Sequence, residues 1–193
     1  MSRIELVVGL GNPGPEYAGT RHNAGFWFID QLARSFHGNF KREKKFHGEV
    51  ARVRLAGHDV WLLKPDTFMN NSGQAVAALA GFYKIAPESI LVVHDDLDLP
   101  AGVARLKLGG GHGGNNGVRD IISRLGNNRS FVRLRLGIAH PGESRKVTAH
   151  VLGKPSAEDR RAIEDAIERA MDVLPLVIEG DTQAAMNRLH TDR

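Results

Sequence analysis

The strongest constraint on the fold is a repeated change of hydrophobic period. The chain opens on a largely apolar run, Ile4 to Leu10, broken by Gly11, and then takes up helical apolar spacing through Phe28, Leu32 and Phe36 in "AGFWFIDQLARSF". A short apolar run closed by glycine reads as a buried strand, and recurrence every three to four residues reads as one face of a helix. The exchange continues along the chain. Glu49 to Leu55 alternates, Gly57 turns, and Val60 to Lys64 completes a hairpin pattern. Ser72 to Tyr83 reads as a helix with serine as its N-cap, Ile90 to His94 as a strand running into acidic residues, and Val103 to Leu108 as a short strand. Gly117 to Leu125 reads as a helix and Val132 to Ala139 as an alternating strand. From Ser156 a charged amphipathic helix begins, with Ser156 as N-cap and Asp159 at the capping-box position. Pro175 is expected to kink or divide it, and Thr182 to Leu189 forms a last helix.

This pattern predicts an α/β fold: a single domain over residues 1–193, a twisted mixed β-sheet with helices on both faces and C-terminal helices from about 156. A chain of 193 residues can bury one sizeable core and is short for two domains. Repeats and low-complexity linkers are absent. Doubly wound sheets bind ligands beyond the carboxyl ends of their strands. The turns after Leu10, after Val93 and around 109–116 are therefore the first candidate sites.

Composition removes several classes of chemistry. With no cysteine, disulfides, thiolate nucleophiles and Cys-ligated zinc are excluded. No apolar stretch approaches the roughly 20 residues that span a bilayer. The N-terminus runs straight into a predicted strand without the features of a signal peptide, so a cytoplasmic location is expected. A formal charge of +4 and a sequence pI of about 9.6 suit a polyanionic partner without demanding one.

Gly9, Gly11 and Gly14 in "VVGLGNPG" match the G-x-G-x-x-G spacing of a dinucleotide-binding turn. The context does not fit. Gly14 lies between Pro13 and Pro15, and helical spacing begins only near Asn23, so no helix N-terminus stands ready for a pyrophosphate. The acidic residue at the right distance, Asp30, falls inside a predicted helix, and Gly109, Gly111 and Gly114 match the spacing a second time. What the loop offers is Asn12 at a strand's end, held extended by Pro13, either as a substrate-facing amide or as a turn residue.

Four further stretches carry polar groups to the same edge. "TRHNAG" places His22 just before the first helix, and "VVHDDLDLP" brings Asp95 and Asp96 to the end of a strand. A carboxylate on one imidazole nitrogen fixes the tautomer, so the other nitrogen can take a proton from water. The same run also reads as a hard-metal site through Asp95, Asp96 and Asp98, or as a solvated acidic turn. "KPDTFMNNSG" sets Met69 and Asn70 before a helix, and "GGGHGGNNG" sets Asn116 near a helix N-terminus, where it could hold water or an oxyanion. His112 reads more simply as a solvated loop histidine. Arg105 and Lys107, with Arg133 and Arg135, have strand period 2 and point to one face, a cationic patch suited to phosphate. "KREKK", Lys41 to Lys45, reads as a solvated loop that could also track a nucleic-acid backbone.

Taken in order, "VGLGNPGPEYAGTRHNAG", "KPDTFMNNSG", "VVHDDLDLPAG", "LKLGGGHGGNNG" and "RLRLGIAHP" resemble the bacterial peptidyl-tRNA hydrolases over most of the chain. The resemblance implies a monomeric α/β enzyme, without metal or coenzyme, that cleaves the ester between a peptide and the terminal adenosine of tRNA. It implies that His22 activates water and Asp95 orients the imidazole. Asn12 and Asn70 would bind the peptide's polar groups and the scissile carbonyl, and Met69 would line that pocket. Asn116 would position the water or its developing oxyanion, and Tyr17 would flank the site. Lys107 and Arg135 would hold the tRNA 5′-phosphate. One departure stands out: where the family often has a second histidine in the glycine loop, this chain has Asn115, which hydrogen-bonds but does not titrate near neutrality. A docking protein that binds RNA without cleaving it, and a metal-assisted phosphohydrolase, are the competing readings.

Overall fold

A computed structural model describes residues 2–191. Its centre is a seven-stranded sheet in the order β2-β3-β4-β1-β5-β7-β6. The strands are β1 (Leu6–Gly9), β2 (Lys41–Glu43), β3 (Gly48–Leu55), β4 (His58–Pro65), β5 (Ile90–Asp96), β6 (Ala104–Leu108) and β7 (Val132–Gly137). β4, β1, β5 and β7 run parallel, while β2, β3 and β6 pair antiparallel at the two margins. The sheet is therefore mixed, as the sequence pattern predicts, and the four parallel strands place their carboxyl ends along one edge.

Among the described residues six α-helices cover it: α1 (Ala24–Ser35), α2 (Ser72–Tyr83), α3 (Asn116–Arg124), α4 (Val147–Val151), α5 (Ala157–Ile178) and α6 (Thr182–Thr191). One core lies between the sheet and α1, α5 and α6, built on Val7, Val93, Phe28, Leu32, Ile167 and Leu174. The other lies under α2 and α3, built on Leu6, Val8, Val92, Val76, Leu79 and Ile121. Successive residues of Leu6–Val8 in β1 and Ile90–Val93 in β5 thus enter opposite cores, which is why both stretches are apolar. Phe28, Ile29 and Leu32 are fully buried, each contributing about 1.5–3 kcal/mol relative to exposure.

The glycines of the opening motif serve this packing. A Cβ on Gly9 would lie 2.5 Å from the Gly25 carbonyl, and one on Gly25 would lie 2.5 Å from the carbonyls of Leu10 and Val93. Only two facing glycines let α1 sit directly on the backbones of β1 and β5. That contact brings the turn before α1, with His22, onto the carboxyl edge of the sheet.

Some local expectations are corrected. Pro175 does not divide α5, which runs unbroken from Ala157 to Ile178, with Ser156 Oγ accepting the Asp159 amide at 3.1 Å. Pro175 lies on the exposed side, where water can meet the carbonyl it leaves unpaired, while Val173, Leu174, Val177 and Ile178 hold the helix to the core. Ser72 is the first residue of α2 and caps nothing: its hydroxyl donates to the Met69 carbonyl at 2.7 Å. The lysine-rich stretch is not a plain loop. Lys41–Glu43 forms the edge strand β2, and Lys44–Phe46 a 3-10 turn that buries Phe46. The short helix α4 has no counterpart in the sequence reading. No helix among the described residues is long and apolar enough to cross a membrane.

Candidate active site

The turns after β1, β4 and β5 meet at the carboxyl edge, as the topology requires, and enclose a cleft of about 270 Å³. Its polar lining includes Asn12, His22, Asn70, Asp95, Asp96, Asn115 and Asn116. Its apolar wall comes from Phe68, Met69, Leu97, Val147, Val151 and Leu152.

His22 stands in a 3-10 turn, Arg21–Asn23, that leads directly into α1. Its Nδ1 is 2.8 Å from Asp95 Oδ2, with side-chain exposures of 12% and 3%. Burial opposes protonation of His22, but the charge of Asp95 and its hydrogen bond together outweigh it, so the imidazole pKa is raised. A neutral ring that donates from Nδ1 to Asp95 presents the Nε2 lone pair, the form needed to take a proton.

Asp95 is gripped on every side. The buried His94 donates from Nδ1 to the Asp95 carbonyl at 2.7 Å, and Asn115 Nδ2 donates to the same carbonyl and to Oδ1, both at 3.3 Å. Burial lowers the pKa of His94 and keeps it in the neutral form that this bond uses. Asp96 has separate partners. Its Oδ2 pairs with Arg135 Nε at 2.7 Å, and its Oδ1 accepts the Asp98 amide at 2.8 Å. Asp95, Asp96 and Asp98 therefore do not converge, and no group of three or more His, Asp or Glu among the described residues is placed to hold a metal ion.

Asn12 is fixed by a clamp that the sequence reading missed. Its backbone N–H donates to Asn23 Oδ1 at 2.8 Å, and Asn23 Nδ2 donates back to its carbonyl at 3.0 Å. Asn12 Oδ1 accepts the Met69 amide at 2.7 Å, which ties the loop after β1 to the loop after β4. The Asn12 Nδ2 donor is left for the cleft. Asn23 stands inside "TRHNAG", but nothing in local spacing marks an asparagine as a clamp on a segment eleven residues away.

Asn70 and Asn116 are exposed in the cleft, and Met69 is buried beneath it. Tyr17 stands one layer back, half-buried, its ring edge-on to Phe68 at 5.9 Å between centroids. Phe68 itself faces the cleft, so Tyr17 bears on the site through that ring. Lys107 and Arg135 line a different, open groove together with Arg105, Asp181 and His190. Asp96 joins the two places, since it lines the cleft and pairs with Arg135.

The expected patch of four cations is not formed as drawn. Arg105 faces Arg135 and Lys107 faces Arg133 across the β6–β7 ladder, so all four do share a face. The glycine loop after β6, however, crosses that face on its way to α3 and covers Arg133. The Arg133 guanidinium donates to the carbonyls of Gly110, Gly111 and Arg129 and lies 4.1 Å from the Phe131 ring centroid. Burial, with Arg129 beside it, pushes its pKa down to about 10. Arg133 holds the loop from beneath.

In chemical terms the site holds one oriented base with a set of neutral amides around it. Ser72, at the start of α2, is buried with its hydroxyl given to Met69. Such an arrangement can activate water and bind a polar, uncharged chain.

Comparison with known proteins gives one consistent result. The family model described as peptidyl-tRNA hydrolase matches residues 6–193. The peptidyl-tRNA hydrolase of Neisseria gonorrhoeae is 60% identical over 188 residues, covering 97% of each chain. That of Pectobacterium atrosepticum is 58% identical over 190 residues, covering 98% of this chain and 97% of its own. The crystal structure of peptidyl-tRNA hydrolase from Acinetobacter baumannii superposes with a TM-score of 0.97 at 50% identity, covering 100% of this chain and 97% of that one. With its fold and almost its whole length shared, this chain belongs to the peptidyl-tRNA hydrolase family.

Proposed function

We propose that this protein hydrolyses the ester between the peptide and the 3′-terminal adenosine of peptidyl-tRNA, releasing free peptide and tRNA. The observation that carries the reading is the His22–Asp95 pair, 2.8 Å apart, at the floor of a cleft lined by Asn12, Asn70 and Asn116. His22 Nε2 takes a proton from water as the water oxygen bonds to the ester carbonyl carbon. The carbonyl oxygen becomes an oxyanion, and its collapse breaks the bond to the ribose oxygen, which takes the proton back from the imidazolium. Asp95 holds the ring and stabilises its charged form. Asn12 Nδ2 and Asn70 bind the peptide and the scissile carbonyl over Met69, Asn116 orients water or the oxyanion at the start of α3, and Tyr17 backs Phe68 at the rim.

Lys107 and Arg135 receive the 5′-phosphate in the neighbouring groove, Arg135 being already oriented by Asp96. The protein acts in this reading as a single-domain monomer over its full length, in the cytoplasm, without metal or coenzyme.

The test is incubation with N-acetyl-aminoacyl-tRNA and with the free-amine aminoacyl-tRNA, in EDTA, for wild type and His22→Ala. Cleavage of the first substrate by wild type alone is expected. Undiminished cleavage in His22→Ala would remove His22 as the base. Tight tRNA binding with no cleavage by wild type would leave a docking protein.

A further inference from the structure

Both polar atoms of the Asn115 side chain are committed within the protein. Oδ1 accepts the Val118 amide at 3.1 Å and caps α3, while Nδ2 donates to Asp95 Oδ1 and to the Asp95 carbonyl. These partners permit one orientation of the amide, because a backbone N–H needs the oxygen, whereas a carboxylate and a carbonyl need the NH₂. The loop supplies the placement. Gly113 and Gly114 take φ of 59° and 84°, a region that favours glycine. The Gly114 amide donates to His112 Nδ1 at 2.9 Å, and the Asn115 amide to the His112 carbonyl at 3.0 Å.

We infer that Asn115 is a positioning residue for the water-activating pair: it holds one oxygen of Asp95 so that the other meets His22, and it ties that geometry to the start of α3. The inference rests on His22 and Asp95 acting as proposed above. Among the described residues Asn115 is the only side chain that bonds to Asp95 Oδ1. A carboxylate turns readily about its terminal torsion, so a hold on His22 alone leaves Asp95 free to swing. Charged or titratable groups on the elements packed around the pair are Arg21 on the turn of His22, His94 and Asp96 on β5, Arg133 and Arg135 on β7, His112 on the glycine loop and His150 on α4. None of them donates to that oxygen. Being an amide, Asn115 keeps its hold unchanged over the pH range in which His22 titrates.

Asn115→Ser separates the two bonds. Serine is a good N-cap, so α3 keeps its cap, but the donor to Asp95 is lost. Tm should fall by roughly 2–12 °C, the cost of one buried acceptor left without its donor while the cap is kept. The His22 pKa, followed by NMR of the ring, should fall toward the ordinary histidine range. At neutral pH kcat on N-acetyl-aminoacyl-tRNA should drop about ten-fold or more, with KM within about two-fold. The acidic limb of the rate profile should move down with the His22 pKa. A His22 pKa that stays put or rises in the serine variant, with kcat unchanged, would make Asn115 a cap and nothing more. A measurement on wild type needs no variant: the side-chain amide protons of Asn115 should shift with pH along the His22 titration curve. Amide resonances blind to that titration would overturn the inference. The loss of turnover in His22→Ala separately decides the reading on which it rests.

Discussion

Replacing Asn23 by alanine tests whether the loop after β1 is held by a side chain or holds itself. Asn23 is 2% exposed and satisfies both the N–H and the C=O of Asn12. Its removal strands a buried donor and a buried acceptor, each costing roughly 1–3 kcal/mol. The full sum is not expected. Asn12 and Asn23 also border a second cavity, shared with Trp27, Lys64 and Asp66, through which water can reach the vacated space. The lower part of the range, about 2–3 kcal/mol, is therefore predicted, equivalent to about 4–12 °C in Tm for a chain of this size.

Urea unfolding should show a lower midpoint with an unchanged slope, since neither compactness nor core changes. Function should suffer as well, because the displaced loop carries Asn12 and, through its Oδ1, the Met69 amide. A loss in kcat/KM of about ten-fold or more is expected, with the His22 pKa unmoved because the Asp95 contact is intact. A loss of stability below about 0.5 kcal/mol, with normal kcat/KM, would refute the clamp.

Asp95→Asn removes the two influences that raise the His22 pKa and leaves burial, which lowers it. Activity requires the neutral ring, so the acidic limb should move from above about 6.5 to below it, with turnover reduced by roughly 10²-fold or more. An unchanged pH–rate profile would dissolve the pair. Lys107→Ala and Arg135→Ala should raise KM for full tRNA substrates while sparing a minimal peptidyl-adenosine ester. Arg135→Ala also unpairs Asp96, so Arg135→Ala with Asp96→Asn should recover stability but not tRNA affinity; equal losses on both substrates would end the phosphate role. Gly25→Ala drives a methyl into the carbonyls of Leu10 and Val93, and unfolding should become easier by about 1–3 kcal/mol or more. Wild-type stability in that variant would show that α1 can lift off the sheet.

Much of the architecture was legible because it is local. The exchange of strand-like runs for helical spacing predicts the sheet, its two helical faces and the carboxyl edge where Asn12, His22 and Asp95 arrive. Burial on both faces forces the run Leu6–Gly9 to be apolar, and its sequence shows it. The proline-flanked glycine motif could be set apart from a cofactor turn by the residues inside it. The resemblance to a known family names the site residues as well, since most of its motifs stand unbroken.

Side-chain partnership was not legible, for a physical reason. Periodicity reports which face of an element is apolar, whereas a buried polar group is defined by whatever a distant segment places opposite it. The clamp of Asn23 on Asn12 exists because two facing glycines set α1 against β1 and β5. Arg133 looks like a surface cation beside Arg135 until the glycine loop folds over it and takes its guanidinium to three carbonyls. Asn115 looks like a lost titratable group until the turn built on Gly113 and Gly114 lays its amide between α3 and Asp95. Composition and spacing thus determined the fold class and which edge of the sheet would bear the chemistry. Which side chains face solvent and which brace the site was decided only by tertiary packing, because a buried polar group depends on a partner that a distant segment supplies.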